Sequence, residues 1–328
     1  MRSCDMSSYH GRMHANNVPI NLAEWPYPEL EGQLREKLRS LMQIVEEKNS
    51  RPLDRLEGVS VVESLTGALA AFDAGYPSDH AAAMRDTVLG RMITTLRGDR
   101  VQGHIFFPID AALQLVGKDA PHYRMCAYMF IHECTHVQEL DTRARSWTND
   151  ELLNPPLAQP IALTHQIVWN EYAACRLSAF SGLERIEDFR EMLRQGVEAL
   201  QSSRSEPRAS FAPTQEGRTR ALGQALDLSL PVLQAYAYLL GHCRGAKLSF
   251  ADSIPENFDT LISELPVSDA FSALEKELDA LWDGRDHWPG YDAFIPLVRA
   301  NCILIKALTG ILMMPGIHRQ LGVSLDHE

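Results

Sequence analysis

The residues with the clearest chemical potential are two histidines and a glutamate in the segment His132-Glu133-Cys134-Thr135-His136. The segment matches the pattern H-E-x-x-H, with the histidines four positions apart. On a helix, such residues differ by about 40° in azimuth and about 6 Å in height. Both imidazoles can therefore reach one Zn²⁺ ion at about 2.0–2.1 Å, and the spacing predicts His132 and His136 as metal ligands.

Glu133 is rotated by about 100° from His132 on the same helix. It can stand beside the metal without binding it and take a proton from a zinc-activated water, so we expect Glu133 to be a general base. The opposing interpretation is two surface histidines on an ordinary amphipathic helix. The preceding residues 125–131 are apolar on every side, which predicts a buried helix, where polar side chains without a partner are costly.

A catalytic zinc site usually has three protein ligands and one open position. After His136 the chain reads Val-Gln-Glu-Leu-Asp-Thr, which lacks the Gly and further His of the long metzincin motif. Glu171, separated from His136 by 34 intervening residues, is the best candidate for the third ligand, because that interval allows a loop and a returning helix. The small residues Ala174 and Cys175 permit close approach of the two helices.

Two alternatives to Glu171 as a ligand stay open. Glu171 can instead be a solvated helix residue or a partner of Arg176, and His165 can compete as the third ligand. Glu139 and Asp141 follow the motif closely, and their positions favour surface or supporting roles over direct ligation.

Stabilisation of an oxyanion needs a further hydrogen-bond donor. Tyr238 and His242 stand four apart on a predicted helix and share a face, so they are candidate catalytic residues. Ordinary core packing is the competing interpretation for both. Cys134, at an x position of the motif, is expected to serve packing.

The elements that must position these residues follow from hydrophobic periodicity. A hairpin is predicted from 92–96 and 101–107 around Gly98-Asp99, with a strand at 59–64. Helices are predicted over 29–49, 121–143, 163–180, 186–200, 222–243, 270–282 and 296–314, and another begins near His80. A small N-terminal sheet and a helical C-terminal half indicate an α+β, mainly helical fold.

The predicted domain organisation has four parts. Residues 1–20 are polar and indicate a flexible tail, and residues 21–200 form the domain with the motif. Residues 201–220, rich in Ser, Arg, Pro and Gly, indicate a linker, and residues 221–328 form a helical subdomain.

Composition limits the function classes. The 328 residues carry a net charge of −12 and no Lys/Arg-rich block, which argues against nucleic acid or an anionic membrane as partner. No export signal and no run of about 18 apolar residues is visible, so we expect no transmembrane helix. The six cysteines are irregularly spaced without a C-x-x-C pair, which favours buried free thiols and a cytoplasmic location.

The combination of the H-E-x-x-H motif with Asn170-Glu171-Tyr172-x-Ala174 resembles the gluzincin branch of zinc metallopeptidases, over about residues 101–180. It looks closest to small bacterial members whose glutamate helix carries an E-Y-x-A pattern. The resemblance implies a zincin-like core, zinc bound by the two histidines and the later glutamate, and peptide substrate held in extended form by an edge strand. By that similarity residues 101–107 are the candidate edge strand.

The leading hypothesis is therefore a zinc-dependent peptidase that acts on a peptide or protein substrate. A regulatory or interaction protein that keeps a structural zinc site with little turnover is the alternative, and a zinc hydrolase of non-peptide amides is a third. Glu133 favours catalysis, because a structural site needs no base and usually closes its fourth position.

Overall fold

The computed structural model describes residues 17–76, 90–117, 122–154, 159–204, 215–255, 258, 268–309, 312–314 and 322–324. These residues are mainly helical with a small four-stranded mixed sheet, which confirms the predicted α+β class. The chain divides into two compact units, residues 1–141 and 142–328. The sequence predicted a linker at 201–220 instead. Residues 215–220 belong to a long helix, which packs against helices that precede the predicted linker.

The first unit is built on the sheet. Its strands are β1 (Ile20–Asn21), β2 (Leu56–Val62), β3 (Arg91–Arg97) and β4 (Arg100–Pro108), in the order β1-β2-β4-β3. The first three strands of that order run parallel, and β3 runs antiparallel to β4. The predicted hairpin is confirmed; Gly98 makes its turn with φ of 62°, a conformation that favours glycine.

The predicted edge strand was wrong. Residues 101–107 lie in β4, which has β2 on one side and β3 on the other. All seven residues are buried, as expected for a strand covered on both faces of its sheet. Among the described strands, β3 is the edge neighbour of β4.

Four helices cover this sheet. They are α1 (Glu31–Asn49), α2 (Leu65–Ala71), α3 (Ile109–Val116) and α4 (Tyr123–Arg143). Helices α1, α3 and α4 share one hydrophobic core with the β2 and β4 side chains Val59, Val61, Ile105 and Phe107. On the other face, Leu69 of α2 packs with Val62, Ile93 and Phe106. Helix α4, which carries the motif, thus lies against the sheet as part of the core.

The second unit is helical. Its helices are α5 (Asn149–Leu153), α6 (Gln159–Ser178), α7 (Ile186–Arg204), α8 (Gln215–Ala246), α9 (Phe250–Ser253), α10 (Ser268–Gly284) and α11 (Ile295–Thr309). Short 3-10 turns stand at Ala179–Ser181, Leu183–Arg185 and Tyr291–Phe294.

Some predictions at the ends of elements need correction. Helix α11 ends at Thr309, and Leu312–Met314 forms β5, paired antiparallel with β6 (Gly322–Ser324), where a helix to 314 was expected. Helix α5 lies between the predicted helices 121–143 and 163–180, where no element was predicted, and is started by a Thr148 capping box. The helix predicted near His80 and most of the predicted tail fall outside the described residues.

Helices α6 and α8 approach each other very closely at two glycines. A Cβ atom added to Gly241 would lie 2.3 Å from the carbonyl oxygen of Tyr172, and one on Gly245 would lie 2.1 Å from that of Arg176. Glycines four apart therefore let the backbone of α8 lie directly on α6. This packing fixes the helix that carries Glu171.

A polar network ties α10 to the same pair of helices. Asp279 Oδ1 accepts hydrogen bonds from the Tyr172 hydroxyl at 2.6 Å and from Arg176 at 3.0 Å, and Arg244 Nε donates to Asp279 Oδ2 at 3.0 Å. Burial alone would raise the pKa of Asp279, but these hydrogen bonds and positive charges lower it. The carboxylate therefore stays ionised where three helices meet.

Two further expectations concern membrane and thiol chemistry. No helix in the described ranges is both long and apolar enough to cross a membrane. The described cysteines, Cys126, Cys134, Cys175, Cys243 and Cys302, are free and buried, as predicted.

The close helix contact gives a stability prediction. Gly241→Ala should destabilise the protein by about 1–3 kcal/mol, because its new methyl group overlaps the Tyr172 carbonyl. Gly223→Ala on the same helix is the matched control: nothing lies within 4 Å of its Cβ, so better helix propensity should stabilise it by up to about 1 kcal/mol. Thermal unfolding followed by circular dichroism measures both; equal melting temperatures would contradict the packing.

Candidate metal centre

The three motif side chains converge on helix α4. The Nε2 atoms of His132 and His136 lie 3.1 Å apart, and their rings stand at 86° to each other. With a carboxylate oxygen of Glu133, the ligand-type atoms all lie within 4.8 Å of one another. His132 is 5% exposed and Glu133 is 6% exposed, while His136 is partly buried. The structure brings the predicted motif residues together in a protected place.

The histidine pair fits a zinc ion on geometric grounds. Two nitrogens bound to tetrahedral zinc at about 2.0–2.1 Å are separated by about 3.3–3.4 Å. The 3.1 Å between the Nε2 atoms is close to this value and needs only a small side-chain adjustment. Nitrogen donors of imidazole also match the preference of zinc. His132 and His136 could therefore hold zinc together.

The carboxylate of Glu133 is anchored to the edge strand. The main-chain N–H of Met92, in β3, donates to Glu133 Oε2 at 2.5 Å. A Cβ on Gly90 would lie 3.4 Å from Glu133 Cγ and 3.1 Å from the Phe107 ring, so the chain entering β3 passes close to the glutamate. One carboxylate oxygen is thus oriented by backbone, which suits a group that must hold a fixed position.

Helix α4 is itself fixed by hydrogen bonds on its C-terminal side. The Gln138 amide donates to the Arg51 carbonyl at 2.5 Å and accepts from Asn49 Nδ2 at 2.8 Å. Asp141 pairs with Arg55 Nε at 3.2 Å. Asp141 therefore serves the anchoring of the helix, in line with its predicted supporting role.

Cys134, between the motif residues, is fully buried in the core of the first unit, so the predicted packing role is confirmed. Burial, with the carboxylates of Glu133 and Glu46 nearby, raises the pKa of its thiol well above the usual range. The thiol is therefore protonated and is not a nucleophile.

Glu171 belongs to α6 in the second unit. Its Oε1 accepts a long hydrogen bond of 3.5 Å from Gln234 Nε2 on α8, and the same amide donates to the Tyr238 hydroxyl at 2.7 Å. The alternative partner Arg176 is engaged by Asp279 and Tyr172. The role of Glu171 as third metal ligand stays a prediction from the sequence.

The other candidates have different surroundings. His165 is fully buried, and its Nε2 lies 2.9 Å from the Tyr291 hydroxyl. His242 is fully buried against the Phe189 ring, whereas Tyr238 is partly buried and stacks on the same ring. The buried settings of the two histidines suit packing. Of the pair on α8, it is Tyr238 whose hydroxyl accepts a hydrogen bond from Gln234, the amide that also donates to Glu171.

Two contacts of these residues were not predicted. The Met92 contact uses a backbone N–H, so the residue type gives no sign of it. Gln234 did have a signal, since it is a polar residue inside the apolar run Val232 to Tyr236 of a packed helix. Such a residue must find a hydrogen-bond partner, and here it finds two.

No protein-family model, no curated protein and no solved structure matches this chain. The metal centre therefore rests on its own residues.

The paired imidazoles give a metal-binding prediction. Purified protein should carry about one Zn²⁺ per chain, and His132→Ala or His136→Ala should abolish it, since one remaining imidazole no longer chelates. His122→Ala, an exposed histidine just before the same helix, is the matched control and should keep zinc. Elemental analysis after dialysis measures the zinc content of all three variants. Full zinc in a variant that carries both His132→Ala and His136→Ala would refute the site.

Proposed function

We propose that this chain is a zinc-dependent peptidase of the gluzincin type with a zincin-like core. Its ligands would be His132, His136 and Glu171, and its general base Glu133. The observation that carries the proposal is the 3.1 Å approach of the two Nε2 atoms beside a buried, backbone-anchored glutamate. Glu171 enters on the sequence resemblance alone.

The chemistry divides between the metal and the chain. A zinc ion supplies Lewis acidity, which polarises a carbonyl group and makes a water molecule acidic at neutral pH. Glu133 removes a proton from the attacking water, whose oxygen bonds to the carbonyl carbon of the substrate. Glu133 then delivers that proton to the amide nitrogen as the C–N bond breaks, so one water is consumed and no other reactant is needed.

The anchoring of Glu133 supports this role. With Oε2 held by the Met92 N–H, the orientation of the side chain is restricted, and Oε1 would accept the proton of the reacting water. Its burial excludes bulk water, which strengthens every electrostatic interaction around it. A purely structural zinc site, the alternative function, gives no reason for an acid held in this way.

Partner and location follow the same proposal. The substrate would be a peptide or protein, with neither nucleic acid nor membrane as partner, because the net charge is −12. We place the protein in the cytoplasm, since its described cysteines are free thiols.

Exchange of the base separates catalysis from metal binding. Glu133→Gln should retain about one Zn²⁺ per chain and lower the rate of peptide hydrolysis by about 10²–10⁴-fold, because the amide cannot accept the proton. Glu36→Gln, exposed on α1, is the matched control and should be silent. A quenched-fluorescent peptide library provides the assay. Zinc retention with no hydrolysis by the unmutated protein would favour the structural-site alternative.

The oxyanion donor is tested on α8. Tyr238→Phe should lower kcat by about 10²–10³-fold with unchanged zinc and melting temperature, because the hydroxyl would stabilise the developing charge. His242→Ala should instead lower the melting temperature, since its ring is buried. Tyr236→Phe is the control for the loss of a buried hydroxyl on the same helix. Normal kcat in all three variants would remove α8 from the catalytic hypothesis.

A further inference from the structure

The outer edge of β3 begins at the proposed base. Met92, Thr94 and Leu96 direct their backbone polar groups away from β4, as their contacts show. The Met92 N–H donates to Glu133 at 2.5 Å, and the Thr94 carbonyl accepts from the Tyr76 hydroxyl at 3.4 Å. This edge therefore leads directly away from the reacting centre along the strand.

A short piece of the chain's own backbone, residues 73–76, covers the far end of this edge. The Leu96 N–H donates to the Ala74 carbonyl at 2.8 Å. Arg97 donates to the Asp73 carbonyl at 2.9 Å, which holds the segment from its other end. A longer peptide paired along this edge would need the Leu96 N–H, but that group is already bonded to the Ala74 carbonyl.

Gly75 makes this close contact possible. Its φ is +79°, and an added Cβ would lie 2.0 Å from the Leu96 carbonyl oxygen. Only glycine fits both the conformation and the space, so the 73–76 segment lies directly on the backbone of β3. The two polar groups of Leu96 are therefore covered together.

Two backbone groups of β3 point outward between Glu133 and the covered end, the Met92 carbonyl and the Thr94 N–H. No contact among the described residues occupies them. In a parallel pairing these groups bracket one residue of an added strand. Addition of an extended peptide to a sheet edge is a general mode of recognition, in which backbone hydrogen bonds supply affinity.

We propose that this edge binds one backbone residue of the substrate beside Glu133, and that the 73–76 segment stops the substrate there, so that the enzyme cleaves peptides close to one end. This inference rests on the proposed peptidase function. Loops also cover sheet edges to prevent aggregation. Here the contacts of the segment concentrate at Leu96 and leave the two groups beside Glu133.

The experiment uses two ladders of quenched-fluorescent peptides on one core sequence that is cut in a Glu133-dependent way. One ladder grows by single residues at the N-terminus and the other at the C-terminus. For the unmutated protein, kcat/KM should fall at least about tenfold in one ladder once more than about two residues extend beyond the scissile bond, because the added residues meet the segment. The other ladder should be tolerated.

Gly75→Ala should remove this limit. The methyl group forces the 73–76 segment off β3, so longer peptides should gain at least about tenfold while the shortest change little. Gly98→Ala is the matched control: its φ is also positive, at +62°, but nothing lies within 4 Å of its Cβ. Hydrogen exchange at the Leu96 amide, which needs no activity, should speed up only in Gly75→Ala.

Three outcomes would overturn the inference. Equal rates along both ladders would show that the edge sets no limit. Faster Leu96 exchange in Gly75→Ala without a change in length dependence would show that the segment covers the edge but does not select the substrate. Absence of Glu133-dependent cleavage for every peptide would refute the peptidase function itself, and the inference with it.

Discussion

The structure of the first unit depends on one constraint: helix α4 packs in an apolar core, yet it carries polar, ionisable side chains on the same turns. Phe130, Cys134 and Val137 of α4 are fully buried, and His132 and Glu133 stand between them with little exposure. Burying such groups is costly unless each finds a partner. The arrangement of β3 answers that need for Glu133, because its edge N–H donates to the carboxylate, and the two imidazoles lie against each other.

In the second unit, close backbone contacts and a shared carboxylate hold the helices together. Its helices meet through glycine contacts and through the carboxylate of Asp279, which joins Tyr172, Arg176 and Arg244. Removal of one partner from such a network leaves the remaining charges without full compensation, so the network acts as a unit. The network therefore holds α6, the helix that carries Glu171, in place.

The sequence was sufficient where the signal is local. Helices such as α1 and α4 have strong periodicity, and the H-E-x-x-H spacing already places both histidines on one face. The Gly98-Asp99 turn likewise identified the β3–β4 hairpin. The position of β4 inside the sheet was not predicted, since it depends on parallel pairing with β2, as between Val59 and Ile105, which lie far apart in the sequence. The only sign in the sequence was the consecutive apolar run Ile105, Phe106 and Phe107, which places hydrophobic side chains on both faces of the strand.

Other misses have equally physical causes. Residues 215–220 are polar and were assigned to a linker, but they extend a long helix whose stability comes from its packed part further along. Main-chain contacts, such as that of Met92, cannot be inferred from residue types. The relation of Glu171 to the histidines is set by tertiary structure, and the sequence offers only a compatible spacing for it.

The cysteine inside the metal motif has a consequence for chemical durability. Thiols near catalytic centres are common targets of peroxide and of electrophiles, because oxidation and alkylation require an accessible thiolate. Cys134 has neither accessibility nor thiolate character, since its side chain faces the apolar core while its neighbours face the other way. Cys134 itself is therefore shielded from oxidants and electrophiles, as long as α4 remains packed against the sheet.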